Sequence, residues 1–430
     1  MHKIERLLQT LAPKGVEFRK LGEVLEYDQP NQYCVTSKEF DKSYPTPVLT
    51  AGKTFILGYT NEKDNIYQAN KNAPVIIFDD FTTATQWVDF PFKVKSSAMK
   101  ILFPKNPTIN IRFIFFYMQT IPYNIGGEHA RHWISRYSQL EVPIPPLEIQ
   151  QEIVKILDAF TELNTELNTE LNTELNARKK QYEYYQNMLL DFKDINQNHK
   201  DAKMSAKTYP KRLKTLLQTL APKGVEFKTL EEVFEIKNGY TPSKNNPEFW
   251  EKGTIPWFRM EDIRENGRIL KDSIQHITPK ALKGKKLFPK NSIIISTTAT
   301  IGEHALLIVD SLANQQFTFL SKKANCDLAL DIKFFFYQCF LLGEWCKNNI
   351  NVSGFASVNM TAFKKYKFPI PPLEIQQEIV KILDAFTELN TELNTELNTE
   401  LNARKKQYEY YREKLLTFKP LTPNKEVKKG

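Results

Sequence analysis

The stretch from Pro143 to Tyr185 returns letter for letter as Pro369 to Tyr411, and this repetition constrains the fold more than any other feature of the chain. A shorter block, Leu7–Phe18, returns unchanged as Leu216–Phe227. The stretches between the repeats, 19–142 and 228–368, share little, and the second is longer. Each half therefore follows one plan: a short common block, a variable globule, then a long common segment. A chain of 430 residues has room for two such units.

The long common segment reads as helix. Pro143-Ile144-Pro145-Pro146 suits a helix start but not a helix interior, and Glu148 and Glu152 favour the positive end of the dipole. Ile149, Ile153, Ile156, Phe160, Leu163 and Leu167 follow at steps of four and three, the spacing of a coiled-coil seam. The second copy offers Ile375, Ile379, Ile382, Phe386, Leu389 and Leu393. Thr-Glu-Leu-Asn is then written four times, over 161–176 and again over 387–402. A period of four drifts by roughly 40° per unit on a 3.6-residue helix, so the leucine stripe winds around the rod. A continuous helix from Leu147 to Leu189 is about 65 Å long. Its exposed apolar strip finds a natural partner in the identical helix of the other half. The expectation is an intramolecular antiparallel coiled coil with an internal pseudo-twofold and one globule at each end.

The globules themselves read as mixed α/β (α+β). Pro74–Phe78, Ser292–Ser296 and Phe317–Leu320 are β-branched or aromatic runs of strand length, and Ile111–Thr120 and Asp331–Lys347 are helix candidates. The expected organisation is a first globule over 1–145, a rod helix over 146–191 and a linker over 192–209. A second globule over 210–371, a second rod helix over 372–418 and a basic tail over 419–430 follow.

Charge divides along the same boundaries. Each repeat holds eight acidic and four basic residues, so the positive excess of a chain with net charge +9 lies outside the rods. Basic globules on acidic rods suit a polyanion partner, with phosphate contacts supplying affinity and base-edge contacts supplying choice. No run is long and apolar enough to predict a membrane span, the first residues lack a signal-peptide pattern, and four scattered cysteines fit a reducing cytoplasm.

Catalytic patterns are missing. Ala51-Gly52-Lys53-Thr54 looks like the end of a phosphate loop, but Pro47 stands where its first glycine is needed. There is no G-x-G-x-x-G and no Asp-Pro-Pro-Tyr of an adenine methyltransferase, and Asn246-Pro247-Glu248-Phe249 reads as a turn. Glu251-Lys252 lacks a second carboxylate, and His129 with His132 is too few for a metal site. Cys339 and Cys346 fall in an apolar helix and read as core. Two rival classes, a coiled-coil adaptor with protein-binding heads and a self-contained methyltransferase or nuclease, leave unexplained why unlike globules alternate with identical rods.

This layout resembles the specificity (S) subunit of Type I restriction–modification enzymes. The resemblance rests on Phe368–Val380 and its twin Val142–Val154, and on Asn238-Gly239-Tyr240-Thr241-Pro242-Ser243. Gly253–Trp257, Ser296–Gly302, Asn314-Gln315-Gln316 and Ser353-Gly354-Phe355 add to it, while the first globule has Pro45–Lys53 and Phe78–Thr83 instead. It implies a recognition subunit without catalysis and without a bound cofactor. Double-stranded DNA with a bipartite site would be the ligand, one half per globule, with the coiled coil setting the spacer. Two methyltransferase subunits would bring S-adenosylmethionine for N6-adenine methylation, and two restriction subunits would bring ATP and Mg.

Polar, aromatic and basic residues in turns near strand ends are the candidate DNA contacts, since Arg grips guanine and Gln grips adenine through paired hydrogen bonds. In the first globule these are Lys53, Thr54, Tyr59, Thr82, Thr83, Gln86, Arg131, His132 and Arg136. In the second they are Lys237, Tyr240, Thr241, Ser243, Lys244, Trp257, Arg259, Thr297, Thr298, Lys364 and Lys365.

Overall fold

A computed structural model describes residues 2–50, 54–122, 131–192, 209–284, 286–351 and 356–421. Its contacts divide it into two units, Met1–Asn172 with Leu397–Gly430, and Thr173–Glu396. The linker over 193–208 and the tail beyond Leu421 lie outside the described residues. The two long helices, Leu147–Leu190 and Leu373–Leu416, are each unbroken over 44 residues, and each gives one part to either unit.

The first unit carries strands β1 (Glu17–Lys20), β2 (Leu25–Asp28), β3 (Thr46–Leu49), β4 (Ile56–Thr60) and β5 (Val75–Asp79). It continues with β6 (Thr85–Val88), β7 (Lys93–Val94), β8 (Met99–Pro104) and β9 (Glu141–Ile144). They form a four-stranded sheet in the order β2-β8-β5-β6, a three-stranded sheet β4-β3-β7, and an antiparallel clasp of β1 with β9. The period-two rule sorts β5: Ile76 and Phe78 face the core built on the helix Ile111–Met118, while Val75 and Ile77 face the other side.

The second unit repeats this plan with β10 (Glu226–Thr229), β11 (Phe234–Asn238), β12 (Ile255–Phe258), β13 (Ile269–Leu270), β14 (His276–Ile277) and β15 (Ile293–Ser296). Then come β16 (His304–Leu307), β17 (Leu312–Ala313), β18 (Phe317–Lys322), β19 (Ile350–Asn351), β20 (Ser357–Val358) and β21 (Lys367–Ile370). The main sheet runs β11-β18-β15-β16-β13, the smaller one β14-β12-β17, and β10 clasps β21. Ile293 and Ile295 face the core around the helix Ile332–Asn348, and Ile294 faces away. Sheet order and facing together make β2, β8, β5 and β6 the counterparts of β11, β18, β15 and β16.

The junction between globule and rod is wired identically in the two units. Asn110 caps its helix by accepting from the Arg112 and Phe113 N–H groups, and Asp331 does the same for Lys333 and Phe334. The fully buried amide of Gln150 accepts the Asn110 N–H at 2.8 Å and donates to the Pro145 and Thr108 carbonyls at 2.7 and 3.2 Å. Gln376 repeats this with the Asp331 N–H at 2.9 Å and the Pro371 and Ala329 carbonyls at 2.7 and 2.9 Å. About two turns along the rod, Arg112 pairs with Asp158 and Lys333 with Asp384, at 2.8 and 2.7 Å.

The rod departs from the simple seam in one respect. Ile149, Ile153 and Leu157 are each fully buried in the first globule's core, and Ile375, Ile379 and Leu383 are buried in the second's. A step of four anchors each helix start to its own globule, at roughly 2 kcal/mol per side chain, and Leu157 and Leu383 escape a heptad count. The end of the other helix enters the same core, with Leu415 and Leu416 in the first unit and Met188, Leu189 and Leu190 in the second. In the first unit Phe160 stacks on Tyr411 at 5.5 Å, and in the second Tyr185 stacks on Phe386 at 5.6 Å, which fixes an antiparallel pairing in each. Ile156, Phe160, Leu167, Ile382, Phe386 and Leu393 are half-buried, whereas Leu163 and Leu389 remain 62% and 52% exposed. The period of four carries those two leucines off the seam.

Candidate nucleic-acid interface

In the first globule the β5–β6 hairpin projects its tip from the main sheet. Asp79 shapes the tip by accepting from the Phe81 and Thr82 N–H groups and from the Thr82 hydroxyl at 2.5 Å, with Thr83 in the left-handed region at φ 59°. Asp80, 1% exposed, turns inward. Its Oδ2 lies 3.6 Å from the buried ammonium of Lys100, which donates to the Gln29 side-chain oxygen and sits 4.7 Å over the Tyr27 ring. Burial pulls the Lys100 pKa down, and the Asp80 carboxylate works against that pull. Asp80 also holds the chain that follows Arg131: its carbonyl accepts the His132 N–H at 2.9 Å and its Oδ1 the Trp133 N–H at 2.8 Å.

In the second globule the corresponding β15–β16 tip uses hydroxyls. The hydroxyls of Thr297 and Thr318 lie 2.9 Å apart, and Thr318 donates to the Asn238 side chain at 3.1 Å. The Thr297 carbonyl accepts the Val358 N–H at 2.9 Å, and Thr298 bridges to Ser357. Gln316 donates to the Thr300 hydroxyl at 2.8 Å, Gln315 pairs with Thr241, and Ala299 takes φ 56°. Gly239 is required here, because a Cβ would stand 2.1 Å from the Asn314 carbonyl oxygen. The pieces Asn238–Thr241, Ser296–Gly302 and Asn314–Gln316, far apart in sequence, thus meet at one end of one sheet.

Among the other candidates, Thr82, Gln86, Arg131 and Arg136 are exposed, and Thr83 is half-exposed beside Thr82 on the tip. Thr54 is exposed and Tyr59 half-buried around the β3–β4 pair, while Lys53, with Ala51 and Gly52, lies outside the described residues, as do His129 and Ser353–Phe355. Lys237, Ser243 and Lys244 are exposed, Tyr240, Thr241, Arg259 and Thr298 intermediate, and Lys364 and Lys365 exposed before β21. Three candidates are interior instead: His132 at 1%, Trp257 at 2% and Thr297 at 6% exposure. Trp257 packs at 5.0 Å against Trp250 and donates its indole N–H to the Tyr240 carbonyl, so it braces the Tyr240 turn from below.

A cleft of about 700 Å³ beside the second tip is lined by Arg264, Arg268, Lys347, Ala299 and Thr300 among others. Arg264 and Lys347 sit on helices, which a search of turns passes over. His304 beneath it is neutral: burial, then the Arg268 guanidinium, push its pKa down to about 3. Cys339 and Cys346 are buried in the core. Among the described residues no group of His, Cys, Asp and Glu is arranged to hold a metal, and no helix is long and apolar enough to cross a membrane.

The model of the Type I restriction modification DNA specificity domain matches residues 13–177 and again 222–403. The chain is 41% identical over 442 aligned positions to the Type I restriction enzyme EcoR124I/EcoR124II specificity subunit of Escherichia coli, covering 98% of each. The chain belongs to the Type I specificity-subunit family. This specificity subunit, with its two DNA-specificity domains, is also 59% identical over 202 positions to the EcoprrI specificity subunit of Escherichia coli, covering 45% of this chain and 50% of that one. Its fold matches, at a TM-score of 0.64, 16% identity and 94% coverage of this chain and 97% of the other, a solved chain described under complex assembly and conformational transition of the type I R-M system. Both matched domains end their main sheet in a polar, hairpin-built surface.

Proposed function

We propose that each globule of this specificity subunit reads one half of a bipartite duplex site and that the paired rods set the number of bases between the halves. The observation that carries this reading is a duplicated frame bearing unlike polar surfaces: the junctions match bond for bond, whereas the hairpin tips differ in chemistry. Thr82, Thr83, Gln86, Arg131 and Arg136 serve as contacts to one half-site, and Lys237, Tyr240, Thr241, Ser243, Lys244 and Thr298 to the other. Lys364, Lys365, Arg264 and Lys347 add phosphate contacts. The domain boundaries follow the sequence, with globules over 1–145 and 210–371 and rods over 146–191 and 372–418.

The chain performs no chemistry itself in this reading. It acts in the cytoplasm and joins two methyltransferase subunits, which bring S-adenosylmethionine for N6-adenine methylation, to two restriction subunits, which bring ATP and Mg. The test is to express the chain with its methyltransferase and sequence the methylated genome. One bipartite motif with a constant gap is the expected result, and a continuous motif or no methylation overturns the reading. A protein-binding adaptor would show no salt-dependent affinity for DNA in the same complex.

A further inference from the structure

The counterpart strands put residues that differ in chemistry at the same place. Phe78 stands opposite Lys100 as Ile295 stands opposite Thr318, so Lys100 and Thr318 are equivalent. One residue beyond β5 and β15, Asp80 and Thr297 are equivalent. Tyr27 stands opposite Leu102 and Ile236 opposite Leu320, which aligns Gln29 with Asn238 two residues on. Each globule therefore closes the base of its hairpin with a three-residue latch: Asp80–Lys100–Gln29 in the first, with Asp80 and Lys100 buried and Gln29 half-buried, and Thr297–Thr318–Asn238 in the second, with Thr297 and Thr318 buried and Asn238 exposed. Both latches hold the same backbone, because the Asp80 carbonyl accepts from His132 and the Thr297 carbonyl from Val358. The residues that precede these held positions are Arg131, exposed, and Ser357, half-buried and bridged to Thr298.

We infer that Arg131 and Ser357 occupy one and the same recognition position in the two globules, and that Ser357 is a specificity-determining contact of the second half-site. The inference rests on the bipartite reading above and sharpens it to one residue per half. The latch residues are positioning residues. They fix the segment on which the contact sits, and their buried members, Asp80 with Lys100 and Thr297 with Thr318, need only satisfy their own partners. A charged latch has to be complete, since a buried Lys100 without Asp80 is costly, whereas a hydroxyl latch tolerates more change. Position 131 can grip a guanine through two donors, while a serine at 357 accepts or donates a single bond and reads more loosely.

The test uses the full chain expressed with its methyltransferase and scores methylation separately for each base pair of each half-site. Arg131→Ala is expected to relax one base pair of one half-site by about 10- to 100-fold, and Ser357→Ala one base pair of the other half-site by about fivefold. The latch exchange Gln29→Asn with Asp80→Thr and Lys100→Thr is expected to relax the same base pair as Arg131→Ala. The Thr297-side half-site should keep its discrimination, which a general loss of stability would not spare. Overturning results are a Ser357→Ala pattern identical to wild type, or Arg131→Ala and Ser357→Ala relaxing the same half-site. If the latch exchange stops the first globule from folding, the Arg131→Ala and Ser357→Ala patterns decide alone. A wild-type complex that marks no bipartite motif overturns the underlying reading rather than the equivalence of the two positions.

Discussion

The two globules solve one structural problem with opposite chemistry. The first seats its hairpin on a buried ion pair, Asp80 with Lys100, and carries a second in Lys93 with Glu62 at 2.8 Å. The second seats the equivalent hairpin on two threonines and an asparagine. What stays fixed between them is backbone geometry: strand order, the hydrogen bond from the chain before β9 or β21 to the hairpin, and the glutamine clamp at the rod junction. A frame held by main-chain bonds and by Gln150 or Gln376 leaves the side chains at the hairpin end free to diverge.

The widest contrast is expected from removing one latch member in each globule. Asp80→Ala strands the Lys100 ammonium and should cost about 3–5 kcal/mol, against about 1–2 kcal/mol for Thr297→Ala, in urea unfolding. Equal costs would erase the distinction between charged and neutral latches. The junctions should behave in the opposite way. Gln150→Ala and Gln376→Ala each strand an N–H and two carbonyls and should each cost about 2–3 kcal/mol, agreeing within about 0.5 kcal/mol. A clear difference would mean that the duplicated wiring is not energetically duplicated.

Acid separates the globules further. His304 binds its proton in the unfolded chain below its ordinary 6.5 but in the folded one only near 3, so the second globule loses stability as the pH falls through that window. Glu62 in the first globule is governed otherwise. Burial would raise its carboxyl, but bonds from Lys93, Ser37 and Thr36 outweigh it and hold it at about 2, below the ordinary 4.5. The stability it contributes is complete above 4.5 and fades only below. Hydrogen exchange resolved by globule should therefore show the second loosening first between pH 6 and 5, and His304→Leu should remove that lead. The smallest effect is expected at the two exposed leucines of the repeats: Leu163→Gln and Leu389→Gln should stay within about 0.5 kcal/mol, while Phe160→Ala should cost about 2–3 kcal/mol in thermal unfolding.

Much of this frame is legible in the sequence, because repetition and helical periodicity are local signals. The rods, their antiparallel pairing, the strands at Val75, Ile293 and Phe317, and the specificity-subunit family all follow from stretches read in order. Leu157 and Leu383 were hidden by a heptad count that ignores the globule at the helix start. The latches were hidden for another reason: Gln29 meets Lys100 and Asn238 meets Thr318 only through sheet pairing, which no local pattern encodes. Thr297 at the hairpin tip and Trp257 in β12 stand close to polar turns and look like contacts, yet their side chains are drawn inward. Ser357 carries no local sign at all and gains meaning only from its equivalence to Arg131.

The central claim, that two unlike reading surfaces are spaced by the repeat count of the rods, is tested most directly by deleting one Thr-Glu-Leu-Asn unit from both helices and mapping methylation with the partner enzyme. A unit spans about 6 Å of helix and a base-pair step about 3.4 Å. The account predicts both half-sites unchanged and the gap between them shortened by one or two base pairs. An unchanged gap, or a changed half-site, would contradict it.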